Sequence, residues 1–264
     1  MIKAYETVGI IGGSGMLGHA ISTAIVRRNA ISAEHFWMSS RSGKAAPIGR
    51  KSVNITTDNQ ALADNCDVII LCVPPAALDT IKIDAPDKLI LSVMAGASLA
   101  TISEITGSLR VVRAMSSPAA AQGLAYSPWI ASATITDNDR AWVTHLLGAC
   151  GTTDEIFDEA HIDHFTAMTG PVPGFVAYFA QCMVDYATDA GISPDVADRA
   201  IRQLFLAGGT MLAKDGPTPA EHVAGMIDYA GTTAAGLASM QASPIARSIS
   251  DGLDAAVAKA RSMG

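Results

Sequence analysis

A continuous apolar run near the start of the chain, Val8-Gly9-Ile10-Ile11, leads straight into Gly12-Gly13-Ser14-Gly15-Met16-Leu17-Gly18, and an amphipathic stretch follows from His19. The order is strand, glycine turn, helix. Glycines let a backbone approach a pyrophosphate closely, and a helix N-terminus offers it unpaired N–H groups. Dinucleotide binding is therefore the first expectation. Two registers fit the loop, Gly12-x-Ser14 and Gly13-x-Gly15-x-x-Gly18, and only the second completes the fingerprint. Gly12, Gly13, Ser14, Gly15, Met16 and Leu17 are the candidate phosphate contacts, with Ser14 or Gly15 giving the closest backbone approach.

The pattern after this loop supports an α/β sheet. Strands are expected at Thr7 to Ile11, His35 to Met38, Ser52 to Ile55, Asp67 to Val73, Lys88 to Met94 and Arg110 to Met115, with a β-like stretch at Leu124 to Thr134. Pro74-Pro75 and Ala95-Gly96 close two of them. Helices are expected to about Arg28, at Asn59 to Asn65, from an N-cap at Ser98 to Ile105, and at Asp137 to Leu147. Such alternation gives a doubly wound, Rossmann-type sheet. Near Asp154 the sequence turns rich in Ala, Met and Gly. From there it reads as all-helical, with helices at about His161–Met168, Gly174–Ala190, Ser193–Lys214, Ala234–Met240 and Ile245–Met263. A domain boundary is expected at about residue 154, giving domains 1–154 and 155–264. The second-half helices are apolar around much of their circumference, which favours oligomerisation through them over packing on the first domain alone.

Composition excludes several classes. The net charge of −7 argues against nucleic-acid binding by the chain as a whole. No apolar run approaches the roughly 18 residues of a membrane span, and the first residues lack a signal-peptide pattern. The four cysteines, Cys66, Cys72, Cys150 and Cys182, lie in apolar runs without C-x-x-C spacing. They read as buried thiols in a reducing, cytoplasmic setting.

Cofactor choice is read at the end of the second strand. A site for NAD commonly places Asp or Glu there, on the ribose 2′-hydroxyl. This chain has Met38-Ser39-Ser40-Arg41-Ser42 and no acid. Arg41 offers a planar, permanent cation suited to a 2′-phosphate, and Ser39, Ser40 and Ser42 add hydroxyls. Lys44, Arg50 and Lys51 follow, although Lys51 reads as a solvated loop residue. NADP(H) is expected to be preferred, with use of NAD(H) left open.

Taken together these segments resemble the Δ1-pyrroline-5-carboxylate reductase family. Ser39-Ser40-Arg41 is similar to its Ser-Asn-Arg, Ile70-Leu71-Cys72-Val73-Pro74-Pro75 to "LAVKP", Leu91-Ser92-Val93-Met94-Ala95-Gly96 to "LSVAAG", and Arg110-Val111-Val112-Arg113-Ala114-Met115 to "RIVRVM". Asp163, Thr166, Gly170 and Pro173 fall on its D-x-x-T-G-x-S-G-S-G-P-A-Y, and Gly231-Thr232-Thr233 on the end of S-P-G-G-T-T. The resemblance implies a Rossmann domain, a helical dimerisation domain and interlocked dimers, often built into larger rings. It implies reduction of a cyclic imine, most simply 1-pyrroline-5-carboxylate to L-proline. Val73 and Pro74 then join the cofactor site, and Ala95, Gly96 and Met115 shape the wall near the nicotinamide. Thr169, Gly170, Asp228, Gly231, Thr232 and Thr233 are the candidate substrate contacts.

The chain departs from that pattern at its substrate loops. Ser-Gly-Ser-Gly-Pro-Ala-Tyr has become Thr169-Gly170-Pro171-Val172-Pro173-Gly174-Phe175, and Ser-Pro-Gly-Gly-Thr-Thr has become Asp228-Tyr229-Ala230-Gly231-Thr232-Thr233. The Pro-Asn-Thr-Pro segment reads Ser116-Ser117-Pro118-Ala119, and Pro74 replaces a Lys. In the family the last loop holds the substrate carboxylate, and a facing Asp228 repels it. Asp228 then turns away, is protonated, or pairs with the cationic nitrogen of a different imine. Three functions follow: the proline-forming reductase, a reductase of another imine, or an NADP(H)-binding sensor or scaffold without catalysis. Hydride transfer to C=N asks little of side chains. Thr233 is the candidate catalytic residue, a hydroxyl for the imine nitrogen, with a helix N-cap as its alternative. Thr166 reads equally as an internal helix hydroxyl.

Other groups carry plainer expectations. His161 and His164 with Asp158 and Asp163 form a conceivable metal set, but a polar helix end is the simpler reading, and no metal is expected. Asp154-Glu155 and Asp158-Glu159 read as acids at a helix N-terminus. Met211, Met226 and Met240 read as packing, and Arg199 and Arg202 as surface residues or intersubunit pairs.

Overall fold

The computed structural model describes residues 5–44, 46–49, 51–214 and 216–263. Arg50, grouped above with the cations after the second strand, lies outside the described residues. The chain forms two compact units, Met1–Val172 with Leu253–Gly264, and Pro173–Gly252.

The first unit runs β1 (Val8–Ile11), α1 (Met16–Arg27), β2 (Phe36–Ser39), β3 (Asn54–Thr56), α2 (Asn59–Asn65), β4 (Val68–Leu71), β5 (Leu89–Ser92), α3 (Leu99–Thr106), β6 (Val111–Ala114), β7 (Ala125–Tyr126), β8 (Trp129–Ala131), α4 (Asp137–Gly148), β9 (Gly151–Thr152) and α5 (Ala160–Met168). Seven strands pair in the order β3-β2-β1-β4-β5-β6-β8. All neighbours are parallel except β8, which runs antiparallel to β6. β1, β4, β5 and β6 are buried along their whole length, as a parallel sheet covered on both faces requires. The two-residue alternation sends Ile10, Ile70, Leu91 and Val112 to one core with Ile21, Ile25 and Leu146, and Ile11, Ile69, Leu71, Ile90 and Val111 to another with Leu62 and Ile102.

The pairing register aligns the strand ends along one rim of this sheet. Ile11 is level with Ser39 and with Leu71, Leu71 with Ser92, and Ser92 with Arg113. The carboxyl ends therefore finish side by side. Strand order reverses between β1 and β4, so the crevice of a doubly wound sheet opens there.

The α/β class followed by an all-helical part is as read from the sequence, and strand edges differ by one to three residues. Ser98 does cap α3, its hydroxyl accepting from Thr101 N at 3.1 Å. The β-like stretch at Leu124 to Thr134 divides into β7 and β8 around Pro128, which has no N–H for a ladder. Asp154 and Glu155 are not helix acids: they run beside β8, where the Asp154 carbonyl accepts from Trp129 N and Glu155 pairs with Arg140 at 3.0 Å. Lys51 is exposed as expected, but its ammonium is not free. Its Nζ donates to Val26 O at 2.8 Å and Asn29 Oδ1 at 2.7 Å, closing the carboxyl end of α1 where a cation is favoured. At the opposite end of the sheet Asp139 binds Arg110 and Tyr5. Burial alone would raise its carboxyl, but hydrogen bonds from Arg110, Tyr5 and Thr136 outweigh that and hold it at about 2.

The second unit holds α6 (Gly174–Asp189), α7 (Pro194–Leu212), α8 (Pro219–Asp228), α9 (Thr232–Ala242) and the first part of α10 (Ile245–Arg261). α8 was not expected. It is marked by a capping box, with Thr218 and Glu221 bonding each other's backbone N–H and Pro219 at the first helical position. Among the described residues of this unit only Ala187 and Ala197 are buried. Tyr178, Tyr186, Leu204, Leu206, Met211, Leu212 and Met226 are exposed. Met211, Met226 and Met240 are thus surface groups of the single chain. Of the four cysteines expected in the core, Cys66 and Cys150 are buried and Cys72 is half-buried, but Cys182 on α6 is exposed because α6 has little of its surface covered in the single chain. Arg202 pairs with Asp198 one turn away on the surface of α7. Among the described residues no helix is long and apolar enough to cross a membrane.

Candidate functional site

Four glycines shape the turn between β1 and α1, and they do so for different reasons. Gly12 has φ +86°, and a Cβ there would collide with the Cys72 carbonyl at the end of β4. On Gly13 a Cβ would stand 2.7 Å from Met38 Cε, and on Gly18 it would collide with the Gly12 carbonyl. Backbone crowding forbids side chains at Gly12 and Gly18, and one at Gly13 would require Met38 and Ile10 to shift. Gly15 is different. Its backbone, at φ −69° and ψ 164°, suits any residue, and a Cβ would meet only Gly12 O at 3.4 Å, an ordinary contact. Nothing in the fold asks for glycine there. What Gly15 leaves bare is the N-terminus of α1, which no side chain caps. The first-turn N–H groups of Met16, Leu17 and Gly18 have no partner within the helix. The arrangement has the geometry of an anion-binding helix start and fits the Gly13-x-Gly15-x-x-Gly18 register, with Gly18 packed against the Gly12 carbonyl.

The rim beside it, after β2, carries the cations. The Ser39 hydroxyl donates to Asn59 Oδ1 at 2.6 Å and the Ser40 hydroxyl to Lys44 O at 2.8 Å. Both are buried and brace the turn, rather than standing open for a ligand as expected. Ser42 Oγ accepts from Lys44 N at 3.3 Å. Arg41 and Lys44 are exposed, and among the described residues their side chains form no ion pair or hydrogen bond. A braced turn thus presents two free cations at the edge of the crevice.

The other half of the rim follows β4, β5 and β6. Val73 is half-buried and Pro74 exposed, and Pro75–Thr80 forms a 3-10 turn. A cavity of about 200 Å³ lies between this turn and Ala95 to Ala97, with Met263 on its wall. Burial pushes the Cys72 thiol up to about 12, so it stays neutral beneath the glycine turn. After β6, Met115 packs its Cε where a Cβ of Gly170 would stand, so Gly170 has no room for a side chain. Thr169 donates its hydroxyl proton to Phe165 O at 2.9 Å and Thr166 to Ile162 O at 2.8 Å. Thr166 is therefore an internal helix hydroxyl, and Thr169 closes the end of α5.

The His161, His164, Asp158 and Asp163 side chains find other partners. Asp163 binds Arg113 at 2.7 Å, His161 lies 3.7 Å from Asp158, and His164 faces Arg261. Among the described residues no group of three His, Cys, Asp or Glu side chains is placed to hold a metal. Asp158 does accept from Ala160 N at 2.9 Å, as an acid at a helix start should. Sequence reading missed a cluster at the same place. Arg113, 5% exposed, is held by Asp163 and by Glu159 at 3.3 Å. The available signal was an arginine within the apolar strand Val111-Val112-Arg113-Ala114, since a buried cation needs a partner.

In the second unit Gly231 is the N-cap of α9, and Thr232 and Thr233 occupy its first turn. The helix begins two residues earlier than expected, so Thr233 is not the cap. No side chain caps this helix, and the Thr232 and Thr233 hydroxyls are exposed, without partners among the described residues. The arrangement offers two hydroxyls and free N–H groups to an anionic or polar ligand. Asp228 ends α8, exposed and unpaired among the described residues. Ala230 between the helices has φ +56°, a conformation that favours glycine.

Comparison with known proteins agrees with this geometry. Residues 159–263 match the family described as pyrroline-5-carboxylate reductase dimerisation, and residues 7–96 match NADP oxidoreductase coenzyme F420-dependent. Pyrroline-5-carboxylate reductase 2 of Bacillus subtilis (strain 168) is 28% identical over 244 residues, covering 89% of this chain and 87% of its own length. The pyrroline-5-carboxylate reductase of Corynebacterium melassecola is 27% identical over 250 residues, covering 90% of this chain and 92% of its own. The crystal structure of Plasmodium falciparum pyrroline carboxylate reductase with NADP bound shares the fold, with a TM-score of 0.81 at 24% identity and coverage of 98% of both chains. With the glycine turn first and the helical part after it, the chain follows the order of these relatives along most of its length, and residues 159–263 carry the match to pyrroline-5-carboxylate reductase dimerisation.

Proposed function

We propose that this protein reduces 1-pyrroline-5-carboxylate to L-proline with NADPH. The observation that carries the reading is Gly15: a glycine that the fold does not need, at an uncapped helix start, beside the free Arg41. The α1 N-terminus would take the pyrophosphate, and Arg41 with Lys44 the 2′-phosphate. These cations favour NADP(H), while NAD(H) would lose only that contact. Val73, Pro74, Ala95, Gly96 and Met115 would bound the nicotinamide half of the crevice. When bound, the reduced nicotinamide supplies the hydride, and one proton completes the amine. Gly231, Thr232 and Thr233 would hold the carboxylate through N–H and hydroxyl groups. Thr233 would orient the imine nitrogen and pass it a proton. Thr169 and Gly170 would border the substrate through their backbone.

Division of labour at about residue 154 is part of the proposal, with cofactor binding in 1–154 and dimerisation with substrate binding in 155–264. The family match over residues 159–263 supports it, as do the many exposed apolar side chains of the second unit. A homodimer through these helices, able to build larger assemblies, would cover them. Four free cysteines support a cytoplasmic location.

Asp228 favours a second reading, reduction of an imine without the carboxylate. It is exposed and unpaired where the family's serine is expected. A panel of imines with NADPH and NADH separates the two. Turnover of 1-pyrroline-5-carboxylate, improved by Asp228→Ser, supports the first. Turnover confined to uncarboxylated or six-membered imines supports the second. NADPH binding with no turnover on any imine refutes both and leaves a binding protein.

A further inference from the structure

Resting on the cofactor reading above, we infer that Arg113, clasped by Glu159 and Asp163, is the positioning residue for the nicotinamide side of the crevice. Arg113 lies on β6, two residues before Met115, and its side chain is 6% exposed. Its Nη2 donates to Asp163 Oδ1 at 2.7 Å and its Nη1 to Glu159 Oε1 at 3.3 Å. Glu159 Oε1 also accepts from Leu99 N at 2.8 Å, at the first turn of α3. That helix starts directly after Ala95, Gly96 and Ala97. One carboxylate therefore ties together the segments that leave β5 and β6.

The same clasp sets α5. Asp163 fixes the middle of that helix against β6, and the chain beyond its end brings Gly170 against Met115 Cε. Met115 is thus held from two directions, through its own strand and through Gly170. Arg261 Nε stands 3.7 Å from Asp163 Oδ2, so two guanidinium groups face two carboxylates. Arg113 Nε is buried with no partner, so both of its bonds run through the outer nitrogens. Such a network is costly to leave half-paired. None of its members lies on the glycine turn or beside Arg41, so the adenosine half of the site does not depend on it.

The test is binding of two ligands to the full chain, wild type and Asp163→Asn. NADPH spans both halves of the crevice; adenosine 2′,5′-bisphosphate reaches only the cation half. For Asp163→Asn the NADPH Kd is expected to rise about fivefold to tenfold, while the Kd for the bisphosphate stays within about twofold. The change in nicotinamide fluorescence on binding should shrink, and kcat should fall about tenfold or more with an intact circular dichroism spectrum. Asp163→Glu should recover part of each loss. Equal weakening of both ligands, or no change in either, overturns the inference. If Asp163→Asn does not fold, Glu159→Gln carries the same test, since it keeps the side-chain volume and leaves Asp163 on Arg113. A wild-type protein that binds neither ligand overturns the cofactor reading instead.

Discussion

Replacing Gly15 with alanine separates what the fold needs from what a ligand needs. The backbone at Gly15 is open to alanine, and the new methyl would lie 3.4 Å from the Gly12 carbonyl, an ordinary contact. A Gly→Ala change at a compatible site stabilises by about 0.4–1 kcal/mol through the unfolded chain. Loss of glycine's preference over alanine at an N-cap costs a similar amount, about 0.5–1 kcal/mol. The terms cancel, so Tm without cofactor should stay within about 3 °C of wild type. The methyl would, however, enter the space through which a pyrophosphate reaches the N–H groups of α1. Loss of one charge-assisted hydrogen bond costs about 1.5–3 kcal/mol, a weakening of about tenfold to hundredfold. Gly18→Ala is the contrast: its methyl collides with the Gly12 carbonyl, so stability and binding should fall together. Thermal shift with and without NADPH, together with calorimetric titration, reads both quantities. A Gly15→Ala protein that binds NADPH as tightly as wild type would refute the assignment of this helix start to the pyrophosphate.

Two further substitutions probe separate parts of the account. Arg41→Ala should weaken NADPH about tenfold to thirtyfold and NADH less than about twofold, with the difference shrinking as salt is raised; equal losses would remove the 2′-phosphate from that rim. Ala230→Gly should stabilise the protein by about 0.5–1 kcal/mol in a denaturant titration, because it relieves a positive φ at the end of α8; a destabilised variant would show that the turn gains more from alanine than it loses in strain.

Local sequence showed the sheet well because parallel strands buried on both faces are written as unbroken apolar runs. Val68-Ile69-Ile70-Leu71 and Val8-Gly9-Ile10-Ile11 could hardly be anything else. The cofactor turn was equally legible, since glycine positions and the missing acid after β2 are local features. What escaped depends on distant partners. Ser39 and Ser40 look like ligands in sequence, yet Asn59 and the Lys44 carbonyl take their protons. Glu159 looks like a helix acid, yet it serves Arg113 and Leu99 N from 46 and 60 residues away. Lys51 is unremarkable until α1 ends beside it. α8 was legible too, since Thr218-Pro219-Ala220-Glu221 is a local start signal and the ten residues after Thr218 are amphipathic, yet its shortness between two longer helices hid it.

The central claim is hydride transfer from NADPH to the ring carbon of 1-pyrroline-5-carboxylate. The direct measurement uses NADPH deuterated at the reactive nicotinamide carbon, with mass spectrometry of the product and absorbance for NADPH consumed. The account predicts L-proline carrying one deuterium at Cδ for each NADPH oxidised. Oxidation of NADPH without labelled proline, or bound NADPH left unconsumed in the presence of this imine, would contradict it.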